Sequence, residues 1–526
     1  MTGPRSGLPL PWPASVGNVR QTGGAFRLGS IPVVGGRPPV GNRNGLARVK
    51  SGAPAPRLHA AADITLINMN LLYMNVGGKI DYEAHPPLGL LYLSSVLERD
   101  GYRVDLVDYQ VFPRENSGRD VFDLDNLTAY IGETAEVVGF SCMANLLPFT
   151  ILAAQRFKAL YPRKIVLLGG VGPFGVERLI LENFPWIDII VRGEAEVSLP
   201  VLLRAISGKG AFEQVPGVFY RFGDGSIAQA APPPRIRALD DVPLPAYHLL
   251  TMDRYDAFGI ISSRGCPYCC SFCSVAPVWD RTTTCRDHEN IIAEIRLLYE
   301  RYGVDLILFQ DEFFYSSEAK MIDFCDRLVA SRLPVKWKCY GRVNLVTKAA
   351  MKRMAEAGCI QLRFGVESGS DRVLKKVVKG FRFEDALRSV TEAASIFDSV
   401  ETFFIWGFPF EEPDDFYQTA IQMARFRQLG ITVLPSLFSM LPQTDIYKEY
   451  RAGGYTGTLE LVPELIPVYV LTGHEVVDTR NSVPEKYRSF YEFIGAHEEI
   501  FPGFFLLDYE AGILPKYEAL RAMGLA

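Results

Sequence analysis

The feature that most constrains the fold is an alternation of short apolar runs with longer helical ones, carried in two blocks between about residue 62 and residue 445. In the first block, "ITLINM" (64–69), "YRVDLVDY", "EVVGFS" (136–141), "KIVLLGG" (164–170) and "IDIIVRGE" (187–194) are largely apolar on consecutive residues. Such runs suit strands covered on both faces. Between them lie "PPLGLLYLSSVLERDGY", opened by proline and closed at Gly101, and "FTILAAQRFKALYP". Strands alternating with helices predict a parallel sheet, so residues 62–230 are expected to form a doubly wound, Rossmann-like α/β domain. "FGDGS" (222–226) marks a hairpin turn near its end.

A Pro-rich, aperiodic stretch, "APPPRIRALDDVPLPAYHLL" (231–250), reads as the core of a linker over 231–255. The second block, 256–445, offers "FGIISSRG", "DLILFQDE", "VKWKCYGRV", "IQLRFGVES", "VETFFIWGFP" and "LPSLFSMLP" as strands. One helix between them is capped by Asp287 and closed by Gly303. Six units fall short of a closed eightfold barrel and predict a partial (β/α)6 barrel. Residues 446–526 turn aromatic and acidic, twelve Asp/Glu against seven Lys/Arg, and are expected to form a mostly helical extension. Its Phe490, Tyr491, Phe493, Phe501, Phe504 and Phe505 would cover a cavity or pack the tail onto the barrel.

Residues 1–62 contain no Asp or Glu but seven Arg and one Lys, among many Pro and Gly. This predicts a disordered leader over 1–61, without the amphipathic helix of a transit peptide. A net charge of −5 gives no global pull toward nucleic acid or an anionic membrane. The longest uncharged run, Val137–Gln155, is broken by Ser141, Asn145 and Pro148, so no membrane span is expected. Nine cysteines, an odd number and clustered, suit a reducing cytoplasm and metal ligation better than disulfides.

Four of those cysteines crowd into "ISSRGCPYCCSFCS" (261–274), at the end of the first strand of the second block. The carboxyl ends of barrel strands are where such folds carry out their chemistry. The spacing leaves two ligand registers open: Cys266, Cys270 and Cys273, or Cys266, Cys269 and Cys273. A closed zinc site lacks a fourth ligand, since no second Cys-x-x-Cys pair exists and His288 is the nearest imidazole. Three thiolates suit a 4Fe–4S cluster, which keeps one iron open.

The loop resembles that of radical S-adenosylmethionine (SAM) enzymes. The resemblance implies the register Cys266, Cys270 and Cys273, leaves Cys269 spare, and sets Phe272 against the SAM adenine. It continues through "FQDEFF" (309–314), with Asp311 and Glu312 in the second-strand acidic motif, and "GRVN" (341–344), whose Arg342 could reach the SAM carboxylate. "FGVESGSDRVL" (364–374) sets Glu367 and Ser368 toward the ribose or methionine end, and "WGFP" (406–409) places Gly407 in the fifth-strand Gly-x-Pro. Two loops depart from the family pattern, "PFEEP" after the fifth strand and "PQTD" after the sixth.

The first domain resembles the cobalamin-binding domain of one radical SAM subclass, through "PPLGLLYLSSVLERDGYRVDLVD" (86–108), "VVGFSC" (137–142), "LLGGVGP" (167–173) and "VRGEAEVSLPVLL" (191–203). Ser141, Gly169, Gly170, Gly193 and Glu194 then fall at strand ends, where such sheets bind ligands. No Asp-x-His-x-x-Gly motif occurs, and His85 reads as a loop residue, so the resemblance implies base-off cobalamin without a protein imidazole on cobalt.

Together these resemblances imply C-methylation of an unactivated carbon in a small-molecule, natural-product (antibiotic-type) intermediate. A deoxyadenosyl radical would abstract hydrogen, and methylcobalamin would supply the methyl group. An external flavodoxin- or ferredoxin-type electron donor is implied as partner, and no nucleic acid. A ring-forming relative with the same cofactors is the alternative. An RNA methylthiotransferase is disfavoured: the region before the linker holds only Cys142, and the tail is acidic.

Overall fold

The computed structural model describes residues 57–71, 73–76, 79–82, 84–314, 317–463 and 485–525. The expected leader, up to residue 56, and His474 lie outside them. The apolar runs of the first block become strands, buried at every residue in Ile64–Asn68 (β1) and Val104–Asp108 (β2). They are followed by Val137–Ser141 (β3), Ile165–Gly169 (β4), Ile189–Val191 (β5), Val218–Arg221 (β6) and Ile227–Gln229 (β7). The order is β2-β1-β3-β4-β5-β6-β7. The first five strands run parallel and the last two antiparallel, with residues 222–226 turning between β6 and β7. Connections reverse direction between β1 and β3, and at such a switch point a crevice opens beyond the carboxyl ends.

The second sheet consists of Phe258–Ile260 (β8), Leu306–Phe309 (β9), Lys336–Gly341 (β10), Cys359–Glu367 (β11), Ser399–Trp406 (β12) and Thr432–Leu437 (β13), parallel and in sequential order. It stays open at β8 and β13, as six units require. Helix His288–Tyr302 begins where Asp287 accepts from the Glu289 amide and ends at Gly303, in the left-handed region at φ 75°. The expected strand "FGIISSRG" is split. After Ile260 the chain leaves the sheet, and Ser263–Arg264 pairs antiparallel with Thr284–Cys285.

The linker is part of the core. Tyr247, Leu250, Met252 and Tyr255 are buried in one apolar cluster that runs from Leu90 and Leu91 of the first block to Phe258 and Ile291 of the second. The tail also departs from expectation. Tyr491, Phe501, Phe504 and Phe505 are buried with Phe149 and Phe184 of the first domain, and Phe493 packs 5.6 Å from Phe184. These aromatics therefore cover first-domain helices and not the barrel, because the apolar flanks of Leu147–Leu160 and Glu177–Asn183 supply the complementary surface. Other parts of the tail reach the barrel: the Ile446 amide donates to the Ser271 carbonyl at 3.1 Å, Glu449 pairs with Lys376 at 3.3 Å, Lys516 pairs with Glu411 at 2.8 Å, and Tyr517 packs against Trp406. No helix among the described residues is long and apolar enough to cross a membrane.

Candidate functional site

The cysteine loop is anchored at both ends by the two acids that follow β9. Asp311, 3% exposed, accepts from the Ser262 amide at 2.9 Å, the Ser262 hydroxyl at 2.6 Å and the Ser263 hydroxyl at 2.7 Å. Burial pushes its carboxyl up to about 6. These bonds pull Ser262 out of line with β8 and account for the split strand. Glu312 accepts from the Gly265 amide at 3.2 Å and from the Trp279 indole at 3.0 Å, one on each side of the loop. The sequence assigned both acids to cofactor contact. In the structure their oxygens hold the loop's backbone and side-chain donors.

Within the loop, the thiols of Cys266, Cys270 and Cys273 lie close enough to act on one another's charge. Burial first, and then the neighbouring thiols, push Cys266 and Cys273 above the usual thiol range, while Arg342 acts against this at Cys266 and Lys379 at Cys273. Cys269 is exposed and lies beside Arg281, which pairs with Asp445 at 3.0 Å. Among the described residues no three His, Cys, Asp or Glu side chains converge on a single ion. Three neighbouring thiols on one loop suit a 4Fe–4S cluster, which takes each thiolate on a separate iron.

Around this loop the structure gathers Phe272, Arg342 and Glu367. Phe272 meets Phe408 edge-on at 5.9 Å. Arg342 lies 3.7 Å over the Tyr268 ring, donates to the Lys379 carbonyl and reaches Asn344 at 3.1 Å. Glu367, in the left-handed region at φ 69°, pairs with Lys379 at 2.7 Å. Ser368 does not face this group. Its buried hydroxyl bonds Thr419 at 2.8 Å and accepts from the Ser370 amide, closing the β11–helix junction. Gly407, at φ 83°, donates to Glu411 at 2.9 Å, and a Cβ there would fall 2.8 Å from Leu437. Sequence reasoning missed Lys379 and Tyr268. The lysine lay hidden in "LKKVVKG", which looks like a solvated charge run.

In the first sheet Asn68, Ser141 and Gly169 stand side by side at the carboxyl ends. Gly170, at φ 85°, lets the chain double back over Cys142, whose carbonyl would lie 2.5 Å from a Cβ there. Met143 and Val171, just beyond β3 and β4, are exposed. A crevice with apolar side chains open at its rim suits a ligand with a broad apolar face.

Gly193 and Glu194 lie against residues 233–236. A Cβ on Gly193 would meet Pro233 at 2.6 Å. Glu194, 3% exposed, takes the Arg235 guanidinium at 2.9 Å, the Ile236 amide at 2.7 Å and the Arg264 guanidinium at 3.0 Å. Arg264 also holds Glu196 at 2.7 Å, and Arg235 reaches the Trp279 carbonyl at 2.6 Å. Two buried cations thus share Glu194, which ties the edge of the first domain to both ends of the cysteine loop. His85 exchanges main-chain bonds with Gln110 and lies beside Gln310, past β9.

Comparison with known proteins bears on both halves. The family model of the radical SAM superfamily matches residues 260–422, and that of the B12 binding domain matches 76–203. An uncharacterized methyltransferase of Pyrococcus horikoshii is 30% identical over 335 residues, which are 63% of this chain and 71% of that protein. The chain is a cobalamin-binding radical SAM enzyme. The cofactors of this family are a 4Fe–4S cluster, SAM and cobalamin. Another relative, the anaerobic magnesium-protoporphyrin IX monomethyl ester cyclase of Cereibacter sphaeroides, is 29% identical over 431 residues, 77% of this chain and 67% of that one. The fold is shared with the radical SAM methyltransferase TsrM of Kitasatospora setae, at 20% identity and a TM-score of 0.64, over 88% of each chain.

Proposed function

We propose that this radical SAM enzyme transfers a methyl group to an unactivated carbon of a small-molecule intermediate in natural-product biosynthesis. When bound, the cluster, SAM and cobalamin supply a hydrogen-abstracting radical and a transferable methyl group. The chain's part is to hold them. Cys266, Cys270 and Cys273 would bind the cluster, with Asp311 and Glu312 fixing their loop. Glu367 and Phe272 would contact SAM, with Gly407 shaping the turn beside it. Ser141, Gly169 and Gly170 would line the cobalamin crevice.

The observation that carries the reading is the Glu194 tie, which joins the edge of the first domain to the cysteine loop through side chains almost wholly buried. Transfer between two cofactors needs such a fixed relation. The Pyrococcus relative, described as a methyltransferase, supports the same choice. A flavodoxin- or ferredoxin-type donor and a cytoplasmic setting belong to this proposal. The longer match to the cyclase favours ring formation as a second reading. Mass spectrometry of products formed with methyl-labelled SAM and candidate pathway intermediates tests the choice. A labelled methyl in the product supports transfer, and an unlabelled cyclised product supports the second reading.

A further inference from the structure

Gln443 sits in "PQTD", one of the two loops that depart from the family pattern. It is 6% exposed, and among the described residues its side-chain amide has no hydrogen-bond partner. A primary amide carries two N–H donors and a carbonyl acceptor, and burying them unused is costly. Native structures rarely leave such a group without a partner, so its presence points to a ligand. The backbone beside it is fixed. Thr444, next in the chain and wholly buried, donates its hydroxyl to the Leu441 carbonyl at 2.8 Å and accepts the Tyr447 amide at 3.3 Å, opening helix Asp445–Arg451.

This loop meets the first domain beside the crevice. A Cβ on Gly175 would lie 3.5 Å from the Pro442 Cβ and 3.6 Å from the Gln443 nitrogen. Gly175 takes that position at φ 92°, with its amide held by Glu177 at 3.0 Å. Three residues earlier, a Cβ on Gly172 would fall 3.0 Å from the Met143 carbonyl. Met143 and Val171 are the exposed apolar side chains just beyond β3 and β4. Residues 171–175 therefore run from the crevice rim directly to Gln443.

A corrin ring has a broad apolar face and a rim of primary amides. An apolar crevice mouth at Met143 and Val171, with an unspent amide a few residues away, matches that distribution. We propose that Gln443 pairs with one of these rim amides when cobalamin is bound, its NH2 donating to the amide oxygen and its own oxygen accepting an amide N–H. The sixth-strand loop of the barrel thereby helps to hold a cofactor whose other contacts lie in the first domain. This rests on the cobalamin-binding family and not on whether the substrate is methylated or cyclised.

The test is equilibrium titration of the full chain with hydroxocobalamin and with dicyanocobinamide, which keeps the ring amides but lacks the nucleotide tail. SAM binding to the anaerobically reconstituted protein is measured alongside. Gln443→Met keeps the length of the side chain and removes its polar atoms. It should weaken both corrinoids by about threefold to tenfold, the range of a net hydrogen bond, while SAM affinity stays within about twofold. The thermal midpoint of the corrinoid-free variant should equal or exceed that of wild type, because an apolar group replaces an amide that is unpaired until the ligand binds. Should Gln443→Met not fold, Gln443→Ala serves in its place for the titrations. Unchanged affinity for both corrinoids, weakening of hydroxocobalamin alone, a lowered midpoint in Gln443→Met, or lost SAM affinity with corrinoid binding kept would overturn the contact. Wild type that takes up no hydroxocobalamin would overturn the crevice assignment along with it.

Discussion

Replacing Glu194 by Gln removes one charge and almost no volume from a carboxylate that three donors share. Arg264 keeps Glu196 as counter-charge, whereas Arg235 is left with the Trp279 carbonyl and the Thr282 and Thr284 hydroxyls. Breaking a buried pair by removing one partner costs roughly 3–5 kcal/mol. The surviving Arg264–Glu196 pair puts this case near the lower end, about 3 kcal/mol, or on the order of a hundredfold in the local opening equilibrium. The Ile236 amide, which donates to Glu194, reports that opening. Its hydrogen exchange should accelerate about a hundredfold in Glu194→Gln, and residues 261–266 should follow. Affinity for hydroxocobalamin, from a spectral titration, should change by less than about threefold, since the carboxylate is engaged by Arg235, Ile236 and Arg264. Unchanged exchange at Ile236 with strongly weakened cobalamin binding would refute the assignment and restore Glu194 as a ligand contact.

The cysteine register predicts about four irons per chain after anaerobic reconstitution, lost in Cys266→Ala, Cys270→Ala or Cys273→Ala and kept in Cys269→Ala, by iron analysis and absorbance. Asp108 is wholly buried, and burial pushes its carboxyl from 3.8 up to about 6. The folded state therefore keeps a proton that the unfolded chain releases. This contribution is full below about pH 4 and is lost as pH rises through about 6, roughly 3 kcal/mol in all. Asp108→Asn should flatten that stretch of the stability–pH curve measured by denaturant unfolding, and an unchanged difference from wild type across pH 4–7 would contradict it. Phe501→Ala should destabilise the protein by about 3–5 kcal/mol while leaving SAM cleavage per folded molecule unaltered. Cleavage lost without a stability change would return the tail aromatics to the barrel mouth.

Much of the fold was legible because it depends on local pattern. "ITLIN" and "VDLVD" are buried along their length, and a run without polar alternation announces a doubly covered strand. Asp287 and Gly303 cap their helix by backbone chemistry that neighbouring residues determine. The cysteine loop was legible for the same reason, as its spacing lies within eight residues. What could not be read were polar side chains whose partners are distant in sequence. Glu194 meets Arg264 across seventy residues, and Asp311 meets Ser262 across forty-nine. A motif gives such a residue a position on a strand end without saying which way its charge is spent. Ser368 turned inward to Thr419 for that reason. Lys379 was invisible because nothing in "LKKVVKG" separates the lysine that turns in from those in water; only the left-handed Val378 does so.

The measurement that bears most directly on methyl transfer is the ratio of S-adenosylhomocysteine to deoxyadenosine, taken with the first intermediate that accelerates deoxyadenosine release above its substrate-free rate. One SAM spent on hydrogen abstraction and another on restoring the methyl group give equal amounts of the two, with one labelled methyl in each product molecule. Deoxyadenosine formed with that intermediate, without S-adenosylhomocysteine and without label in the product, would contradict the methyltransferase account.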